Sequence, residues 1–253
     1  MHEKHTTRIR YLDAMGIQLW TPRIPVQNSI PRSNRQDEIT EKFPDKLILT
    51  RTESKTLEES PELYPGGHNN NQTWDRLAKE VAKCTACPLH QSRIQTVFGV
   101  GDHQANCMVI GEAPGANEDK QGEPFVGRAG LLLNEMLRAL GYAREQVFIA
   151  NILKCRPPNN RDPQPEEVSA CEAFLKQQVM LLNPQIILAV GRIAAQNLLK
   201  TTSSIGQLRG RIHDYDNIPL VVFYHPAYLL RSPLEKRKAW DDIRLAEKVI
   251  RKN

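Results

Sequence analysis

Residues 106–130 read NCMVIGEAPGANEDKQGEPFVGRAG, and the first strand, loop and helix of the predicted fold can be inferred from them. It opens with an apolar run at residues 107–110 that stops at Gly111, and such a run predicts a buried strand. A loop rich in glycine, proline and acidic residues follows, and helical spacing of leucines begins after Arg128. Ligands in open α/β sheets bind at the loops that leave the carboxyl ends of strands. We therefore predict that this loop forms the floor of an active site.

Three further apolar runs repeat the pattern of a strand followed by a helix. They cover residues 147–150, 185–190 and 219–224. Continuous apolar strands that alternate with helices predict a parallel sheet that is covered on both faces. The predicted fold class is therefore α/β, a three-layer α/β/α domain with a central four-stranded parallel sheet, spanning residues 73–253.

Helix boundaries can be predicted from capping residues. Thr73 is a candidate N-cap for the first helix of the domain, and Gly141 is a candidate C-terminal glycine for the helix after Arg128. The last helix, which runs to about residue 250, has a fuller start signal. Ser232 is its predicted N-cap, Pro233 its first residue, and Glu235 the acid expected three residues after the cap.

Residues 1–72 form an N-terminal extension that we predict to be largely disordered. Six prolines lie within residues 1–75, and the polar tract GGHNNNQ closes the segment at residues 66–72. Apolar side chains crowd only into residues 9–20, which suggests a segment that docks on a protein partner or back on the domain. The alternative is a tail with a local hydrophobic cluster. A linker is expected from residue 21 to residue 72.

Composition limits the possible settings of the protein. The 253 residues carry a formal charge of +5, with a net of −1 in residues 1–75 and +6 in residues 76–253. The basic portion is compatible with a polyanionic partner, although a solvated basic surface is an equally good explanation. The chain has no apolar run of the roughly 18 residues that a membrane span needs, and its charged start lacks a secretory signal. We expect a cytoplasmic monomer, with activity at the nucleoid and no membrane partner.

Five cysteines remain to be explained in a chain that we expect to be reduced. Cys107 lies inside the first strand and is best explained as a small core residue. The other four supply the number of thiols that a tetrahedral metal site or an iron–sulfur cluster needs. They are Cys84 and Cys87 in a CxxC turn, Cys155 just after a strand, and Cys171 in a predicted helix. Spacing leaves zinc, iron and a redox CxxC all open.

Polar side chains stand at the carboxyl ends of three predicted strands. Glu112, Asn151 and His225 should converge because a parallel sheet brings these ends to one edge. An asparagine amide offers one donor and one acceptor group in fixed geometry, and Phe125 in the first loop offers a stacking face. This set favours a planar heterocycle. Basic loop residues suggest that the heterocycle is a nucleobase flipped from DNA, and the candidate DNA contacts are Arg209, Arg211, Arg231 and Lys236.

Each of these residues also has a simpler explanation. Asn151 would serve equally well as a loop cap, His225 as part of a turn with Pro226, and Glu112 as a solvated surface acid. The hypothesis of a site depends on all three falling at strand ends together.

Three segments resemble the family 4 uracil-DNA glycosylases, the iron–sulfur branch of that superfamily. They are residues 111–130, residues 151–171 (NILKCRPPNNRDPQPEEVSAC) and residues 225–231 (HPAYLLR), which occur in the family's order. The resemblance covers about residues 74–250. It implies a DNA repair enzyme that flips uracil out of DNA and hydrolyses its N-glycosidic bond.

The resemblance also implies roles for individual residues. Phe125 would stack on uracil, Asn151 would recognise its N3 and O4, and His225 would hydrogen-bond O2 as negative charge builds on the departing base. Gly111 and Ala113 would adjoin the base. Ala113 occupies the position where family 1 enzymes carry a catalytic aspartate, so strong general-base catalysis by a carboxylate is not expected.

For the remaining carboxylates and the thiols, the resemblance implies less direct roles. Glu112 and Glu118 are left as catalytic candidates, and Glu118 would either position water or exclude the methyl group of thymine. The ligands of a [4Fe–4S] cluster would be Cys84, Cys87, Cys155 and Cys171, with the cluster stapling loops that meet DNA.

Two other functions stay open from the sequence. One is a non-catalytic iron–sulfur module that binds nucleic acid or associates with replication, and the other is a cluster that senses oxidation and adjusts DNA affinity. The loop at residues 157–165 lacks the inserted histidine by which one branch of the superfamily cross-links to abasic sites. We therefore expect turnover without a covalent adduct.

Overall fold

A six-stranded sheet forms the centre of the computed structural model, which describes residues 70–252, with side chains from Thr73 onward. The predicted disorder and docking segment of the extension lie outside these residues. The strands run in the order β1-β3-β2-β4-β6-β5. They are β1 (Val100–Gly101), β2 (Cys107–Gly111), β3 (Phe148–Asn151), β4 (Ile186–Val190), β5 (Ile212–Tyr215) and β6 (Ile218–Phe223).

The predicted four-stranded parallel core is confirmed. Strand β2 pairs in parallel with β3 and β4, and β4 pairs in parallel with β6. At the centre, Val109 lies between Ile149 and Leu188. Every residue of β2, β3 and β4 is buried, which explains why these strands stand out in the sequence as continuous apolar runs.

The sheet is mixed, however, and the prediction of a purely parallel sheet was wrong at both edges. Strand β1 pairs antiparallel with β3, and β5 pairs antiparallel with β6. Strand β1 has only two residues, and β5 alternates exposed and half-buried side chains, so neither forms an apolar run. Asp216 and Asn217 join β5 to β6 with φ angles of 50° and 66°, as a two-residue hairpin turn requires.

Helices cover both faces of the sheet, as predicted. The hydrophobic cluster on one face includes Leu133 and Ile243, and the cluster on the other includes Trp74 and Leu175. The helices are α1 (Asn70–Ala82), α2 (Ala116–Gln121), α3 (Arg128–Leu140), α4 (Pro165–Leu182), α5 (Arg192–Leu198), α6 (Ile205–Leu208), α7 (Pro226–Arg231) and α8 (Lys236–Ile250). None of these helices is long and apolar enough to cross a membrane.

The predicted end of α3 is confirmed. Gly141 has a φ of 93°, and its N–H donates to the Arg138 carbonyl at 3.0 Å. The Tyr142 N–H donates to the Leu137 carbonyl at 3.0 Å, which completes a Schellman motif. A side chain at residue 141 would be strained in this left-handed conformation, so the glycine ends the helix here.

Two predicted helix starts were wrong. Helix α1 begins at Asn70, before the proposed cap Thr73. Ser232 makes no side-chain cap bond, because residues Pro233–Glu235 form a 3₁₀ turn ahead of α8. The Glu235 carboxylate, expected to reach back to the cap, instead pairs with Lys238 at 2.9 Å.

Candidate active site at the carboxyl edge of the sheet

A cleft of about 770 Å³ opens where β2, β3, β4 and β6 end. The structure brings most of the predicted site residues to this one place. Those lining it are Glu112, Ala113, Glu118, Phe125, Asn151, His225 and Arg231. Gly111 lies behind the lining, in register with Asn151 on the neighbouring strand. The expected convergence of strand ends is therefore confirmed, although the convergence alone assigns no role to any residue.

Phe125 is held in an unusual backbone conformation. Its φ of 54° lies in the left-handed region, where an aromatic residue is an outlier that its surroundings must maintain. Gly130 makes the tight loop possible, because a Cβ there would lie 1.7 Å from the Phe125 carbonyl oxygen. Arg144 holds the loop from behind by donating to the Pro124 carbonyl at 2.6 Å and to the Phe125 carbonyl at 3.4 Å.

Glu118 also holds the Phe125 loop. Its Oε1 accepts hydrogen bonds from the N–H groups of Val126 at 3.0 Å and Gly127 at 3.4 Å, just before α3 begins. Its Oε2 packs so close to Gly115 that a Cβ on that glycine would stand 2.7 Å away. This carboxylate therefore positions the aromatic loop, a role that the sequence did not predict.

Asn151 presents an unused acceptor to the cleft. The residue is 2% exposed, and no described residue hydrogen-bonds its buried Oδ1. Buried polar atoms without a partner are rare in folded proteins, and each needs an explanation. Gly111 leaves room for this side chain, because a Cβ there would lie 2.4 Å from Asn151 Oδ1 and 2.7 Å from the ring of Phe125.

His225 is fixed as a neutral ring with a defined tautomer. It is the N-cap of α7, where the Ala227 N–H donates to its Nδ1 at 3.1 Å. Burial lowers the pKa of His225 to about 4, with a further push from Arg231 and opposition from Glu118. At neutral pH the ring hydrogen therefore resides on Nε2.

Two neighbours set the orientation of the His225 ring. The Phe125 ring stacks on it at 5.7 Å between centroids and an interplanar angle of 28°. Gly191 packs beneath, since a Cβ there would lie 3.2 Å from the His225 Cβ and Cδ2. The sequence gives no sign of these contacts, because they join segments far apart along the chain.

Glu112 stands at the wall of the cleft with an altered acidity. Burial raises the pKa of Glu112 to about 6, Asp162 raises it further, and Arg192 opposes the shift. The Arg192 and Asp162 side chains pair with each other at 2.6 Å. Glu112 is consequently mostly ionised at neutral pH and protonated in mild acid.

The predicted DNA contacts differ in their surroundings. Arg211 and Arg231 are exposed, and Lys236 begins α8. Arg209 instead pairs with the fully buried carboxylate of Asp242 at 2.9 Å and lies over the Tyr224 ring. Arg209 therefore already has an anionic partner within the protein, and its contact with DNA stays a prediction.

Leu234 is a surface feature that the sequence analysis missed. The residue is 92% exposed, in the 3₁₀ turn that follows Arg231. A leucine on a Ser-Pro turn beside basic residues was the available signal.

The four predicted metal ligands line a second, smaller cavity. Cys84, Cys87, Cys155 and Cys171 all face it, whereas Cys107 is fully buried in β2, as expected of a core residue. Burial raises the pKa of Cys107 to about 12, so this thiol stays protonated. As the side chains stand in residues 73–252, no group of three or more His, Cys, Asp or Glu is in position to hold a metal ion.

Two basic residues complete the wall of this cavity. Arg93 donates to Cys155 Sγ at 3.0 Å and to the Cys84 carbonyl at 2.8 Å. Lys154, which is 1% exposed, is the other. Neither was predicted, because a lone basic residue carries no sequence signal for facing a set of thiols.

Comparison with known proteins agrees with this arrangement. The family model described as the uracil DNA glycosylase superfamily matches residues 98–244. The type-4 uracil-DNA glycosylase of Thermotoga maritima is 42% identical over 189 residues, which cover 73% of this chain and 98% of the relative. The type-4 enzyme of Archaeoglobus fulgidus is 42% identical over 170 residues, covering 64% and 85% of the two chains.

A type-5 uracil-DNA glycosylase, from Thermus thermophilus, is more distant. It is 33% identical over 118 residues, which cover 41% of this chain and 53% of the relative. The family match spans more than half of the chain, and the Thermotoga maritima relative aligns over nearly its full length. The chain belongs to the uracil DNA glycosylase superfamily, in its type-4 branch.

Proposed function

We propose that this chain is a monofunctional DNA repair glycosylase that accepts a flipped-out uracil, hydrolyses its N-glycosidic bond and leaves an abasic site. The observation that carries the proposal is the unpartnered Oδ1 of Asn151, which is buried in the same cleft as Phe125 and His225. The type-4 relatives, named uracil-DNA glycosylases, support the same reaction.

Base recognition follows from the chemistry of one amide and one ring. Uracil presents an N3–H donor and an O4 acceptor, so Asn151 Oδ1 accepts from N3 while its amide nitrogen donates to O4. Cytosine reverses both groups and would leave the buried amide unpaired. A site built to hydrogen-bond one partner rejects an analogue that cannot pair by about 10⁴–10⁵-fold. Phe125 provides the stacking surface.

The base departs as an anion that His225 stabilises. Glycosidic cleavage passes through an oxocarbenium-like state, in which negative charge builds on the leaving base. The neutral ring donates its Nε2–H to O2 without a proton transfer, and its tautomer is set beforehand by the Ala227 N–H. A preorganised donor of this kind contributes about 3–4 kcal/mol.

The attacking water has no strong base at residue 113. Ala113 lines the cleft without any polar side-chain atom. Glu112, with its pKa of about 6, is a weak base that orients the water. Glu118 already binds two backbone N–H groups through Oε1, so we assign it to holding Phe125 in place. This weak base is sufficient because leaving-group stabilisation carries most of the catalysis.

DNA would approach over the rim that bears Arg231, Arg211 and Lys236. Leu234, an exposed apolar side chain beside these cations, would enter the base stack and fill the space of the flipped nucleotide. Leu234→Ala should slow excision from duplex DNA more than from single strands. Equal slowing on both substrates would rule out this wedge.

The donor set fits a thiolate-bound cluster. Four cysteines face one cavity whose other wall residues are apolar or basic, and four soft sulfur donors suit zinc or an iron–sulfur cluster. The family resemblance favours [4Fe–4S] on Cys84, Cys87, Cys155 and Cys171. When bound, the cluster ties together the end of α1, the segment after β3, and α4.

A uracil-release assay beside a DNA-binding assay tests the proposal. We expect the protein, as a monomer, to release free uracil over many turnovers from an oligonucleotide, without forming an adduct that survives denaturation. Binding to undamaged DNA without uracil release would favour the non-catalytic module instead. A denaturation-resistant adduct would contradict turnover.

A further inference from the structure

Lys154 connects the thiol cavity to the base-recognition site. Its amine is buried within the protein, where Nζ donates to the Asn151 carbonyl at 2.9 Å and to Gln178 Oε1 at 2.6 Å. Gln178 is fully buried and donates in turn to the Phe98 carbonyl at 2.9 Å. The lysine thus forms a fixed bridge between the strand end that carries Asn151 and helix α4.

The surroundings of Lys154 are unusual for a buried lysine. A buried ammonium group is normally paired with a carboxylate, because desolvation of the charge is costly. Among residues 70–252 no carboxylate forms an ion pair with Lys154. The side chain lines the cavity that the four cysteines face, so thiolates that bind a metal there would supply negative charge near this amine.

The segment between Asn151 and the thiol of Cys155 is short, and hydrogen bonds hold its backbone in place. Asn151 and Cys155 are separated by three residues, and the Lys154 amine turns back to close this segment on itself. The Ile152 N–H donates to the Gly111 carbonyl at 2.9 Å, and the Leu153 N–H donates to the Glu112 carbonyl at 3.0 Å. The peptide that follows Asn151 therefore has both its N–H and its C=O fixed.

We propose that Lys154 is a positioning residue that fixes the Asn151 backbone, so that recognition of the base depends on an amine in the wall of the thiol cavity. This proposal rests on the proposed function of the cleft. Lys154 touches neither the base nor the reacting atoms, and it acts only through Asn151.

Arg93 offers a matched control on the same cavity. Its guanidinium donates to Cys155 Sγ and to the carbonyls of Ala82 and Cys84. These bonds all stay within the cysteine segments and none reaches Asn151. Removing Arg93 should therefore disturb the thiol site alone, whereas removing the Lys154 amine should disturb base recognition as well.

The experiment compares Lys154→Met with Arg93→Met in the full, cluster-loaded chain. Excision is measured in single turnover, per molecule that retains the visible absorption of the cluster. Loss of an orienting contact of this kind typically lowers activity by about 10–100-fold, which we expect for Lys154→Met. Arg93→Met should keep near-normal excision per loaded molecule. Amide hydrogen exchange at residues 148–155 should rise in Lys154→Met, and this readout does not depend on activity.

A double-mutant cycle separates positioning from a general structural role. In the Asn151→Ala background, Lys154→Met should cause no further loss of excision, because its effect passes through the missing side chain. Additive losses, or unchanged exchange at residues 148–155, would overturn the proposal. If Lys154→Met does not fold, Gln178→Leu takes its place, because it frees Lys154 Nζ from helix α4. This variant should raise the hydrogen exchange of residues 148–155 by a smaller amount. Unchanged exchange in Gln178→Leu would also overturn the proposal.

Failure of the proposed function has a different signature. A wild-type protein that releases no uracil would contradict the glycosylase assignment. Increased hydrogen exchange in Lys154→Met would still demonstrate that the Lys154 amine holds the segment that carries Asn151.

Discussion

The base-recognition cleft and the thiol cavity are built in different ways. In the cleft, side chains are already set by backbone and glycine contacts: Phe125 by its loop, Asn151 by Gly111, and His225 by the Ala227 N–H. In the cavity, the four thiols come from three separate segments of the chain, two of which are joined by Arg93 through its bonds to Cys155 Sγ and the Cys84 carbonyl. The side chains of the cleft are thus positioned by the protein itself, whereas in our proposal a bound cluster would tie the three thiol-bearing segments together.

This difference predicts that the largest effect comes from the thiols. Cys171→Ser should abolish the visible absorption of the cluster and remove much of the stability and all excision, because the three segments that carry the four cysteines lose their common anchor. Cys107→Ala is the control, since its thiol is buried in β2 away from the cavity, and it should keep the absorption. Iron content, circular dichroism and excision are measured on both proteins. Full iron content in Cys171→Ser would remove that residue from the ligand set.

Asn151→Ala and His225→Ala should have the opposite pattern, in which excision is lost and the cluster is kept. Each should lower single-turnover excision by about 10²–10³-fold, the range seen when one preorganised donor is removed from a reactive site. The visible absorption and iron content should stay at wild-type levels, because neither residue lines the thiol cavity. If both variants excise uracil at near-normal rates, the roles assigned to these residues are wrong.

Gly111→Ala tests whether the cleft depends on close backbone approach. The new Cβ would meet Asn151 Oδ1 at 2.4 Å and the Phe125 ring at 2.7 Å, so both side chains must shift. We expect a loss of about 100-fold in excision and about 1–3 kcal/mol in unfolding free energy.

Gly206→Ala is the matched control for that variant. It lies in α6, where the nearest atom to a new Cβ is Ser204 Oγ at 3.9 Å, and it should leave both quantities unchanged. Wild-type excision by Gly111→Ala would show that the cleft tolerates movement of these side chains.

The lowered pKa of His225 predicts a smaller effect, which is a loss of protein stability in acid that originates in the cleft. Burial lowers the pKa of His225 to about 4, so between pH 6.5 and pH 4 the unfolded chain binds a proton that the folded chain does not. The stability that this group contributes is fully present above pH 6.5 and is lost as the pH falls toward 4. The total is on the order of 3 kcal/mol.

Two measurements check this prediction. Urea unfolding of the wild type at pH 7 and pH 4.5 is compared with the same pair for His225→Asn, which should lose less stability in acid. Proton NMR of the ring should show no titration near pH 6.5. A His225 ring that titrates at its ordinary pKa would contradict the buried neutral tautomer.

How much could be predicted depended on whether a feature is local in the sequence. Strands β2, β3, β4 and β6 were predictable because burial on both faces makes them apolar throughout. Strand β5 was missed because its side chains alternate between exposed and half-buried, so that they form no apolar run. Asp216 and Asn217, which form the turn after it, were a hairpin signal in the sequence.

The site shows the same limit. Residues at strand ends were predictable, since topology alone brings them together. The supports of those residues were not, because Arg144 reaches Phe125 from 19 residues away and Gly191 meets His225 across the sheet edge. The ion pair of Arg209 was not predictable for the same reason, because its partner Asp242 lies 33 residues further along the chain.

We propose that Phe125, Asn151 and His225 form one pocket that recognises uracil, and base selectivity in a single-turnover assay is the decisive measurement of this. Oligonucleotides with uracil, cytosine or thymine at one position are incubated with the cluster-loaded protein, and abasic sites are then cleaved with alkali. We expect release of uracil, with cytosine slower by about 10⁴-fold or more because it leaves the Asn151 amide unpaired. Release of cytosine at a rate comparable to that of uracil would contradict it.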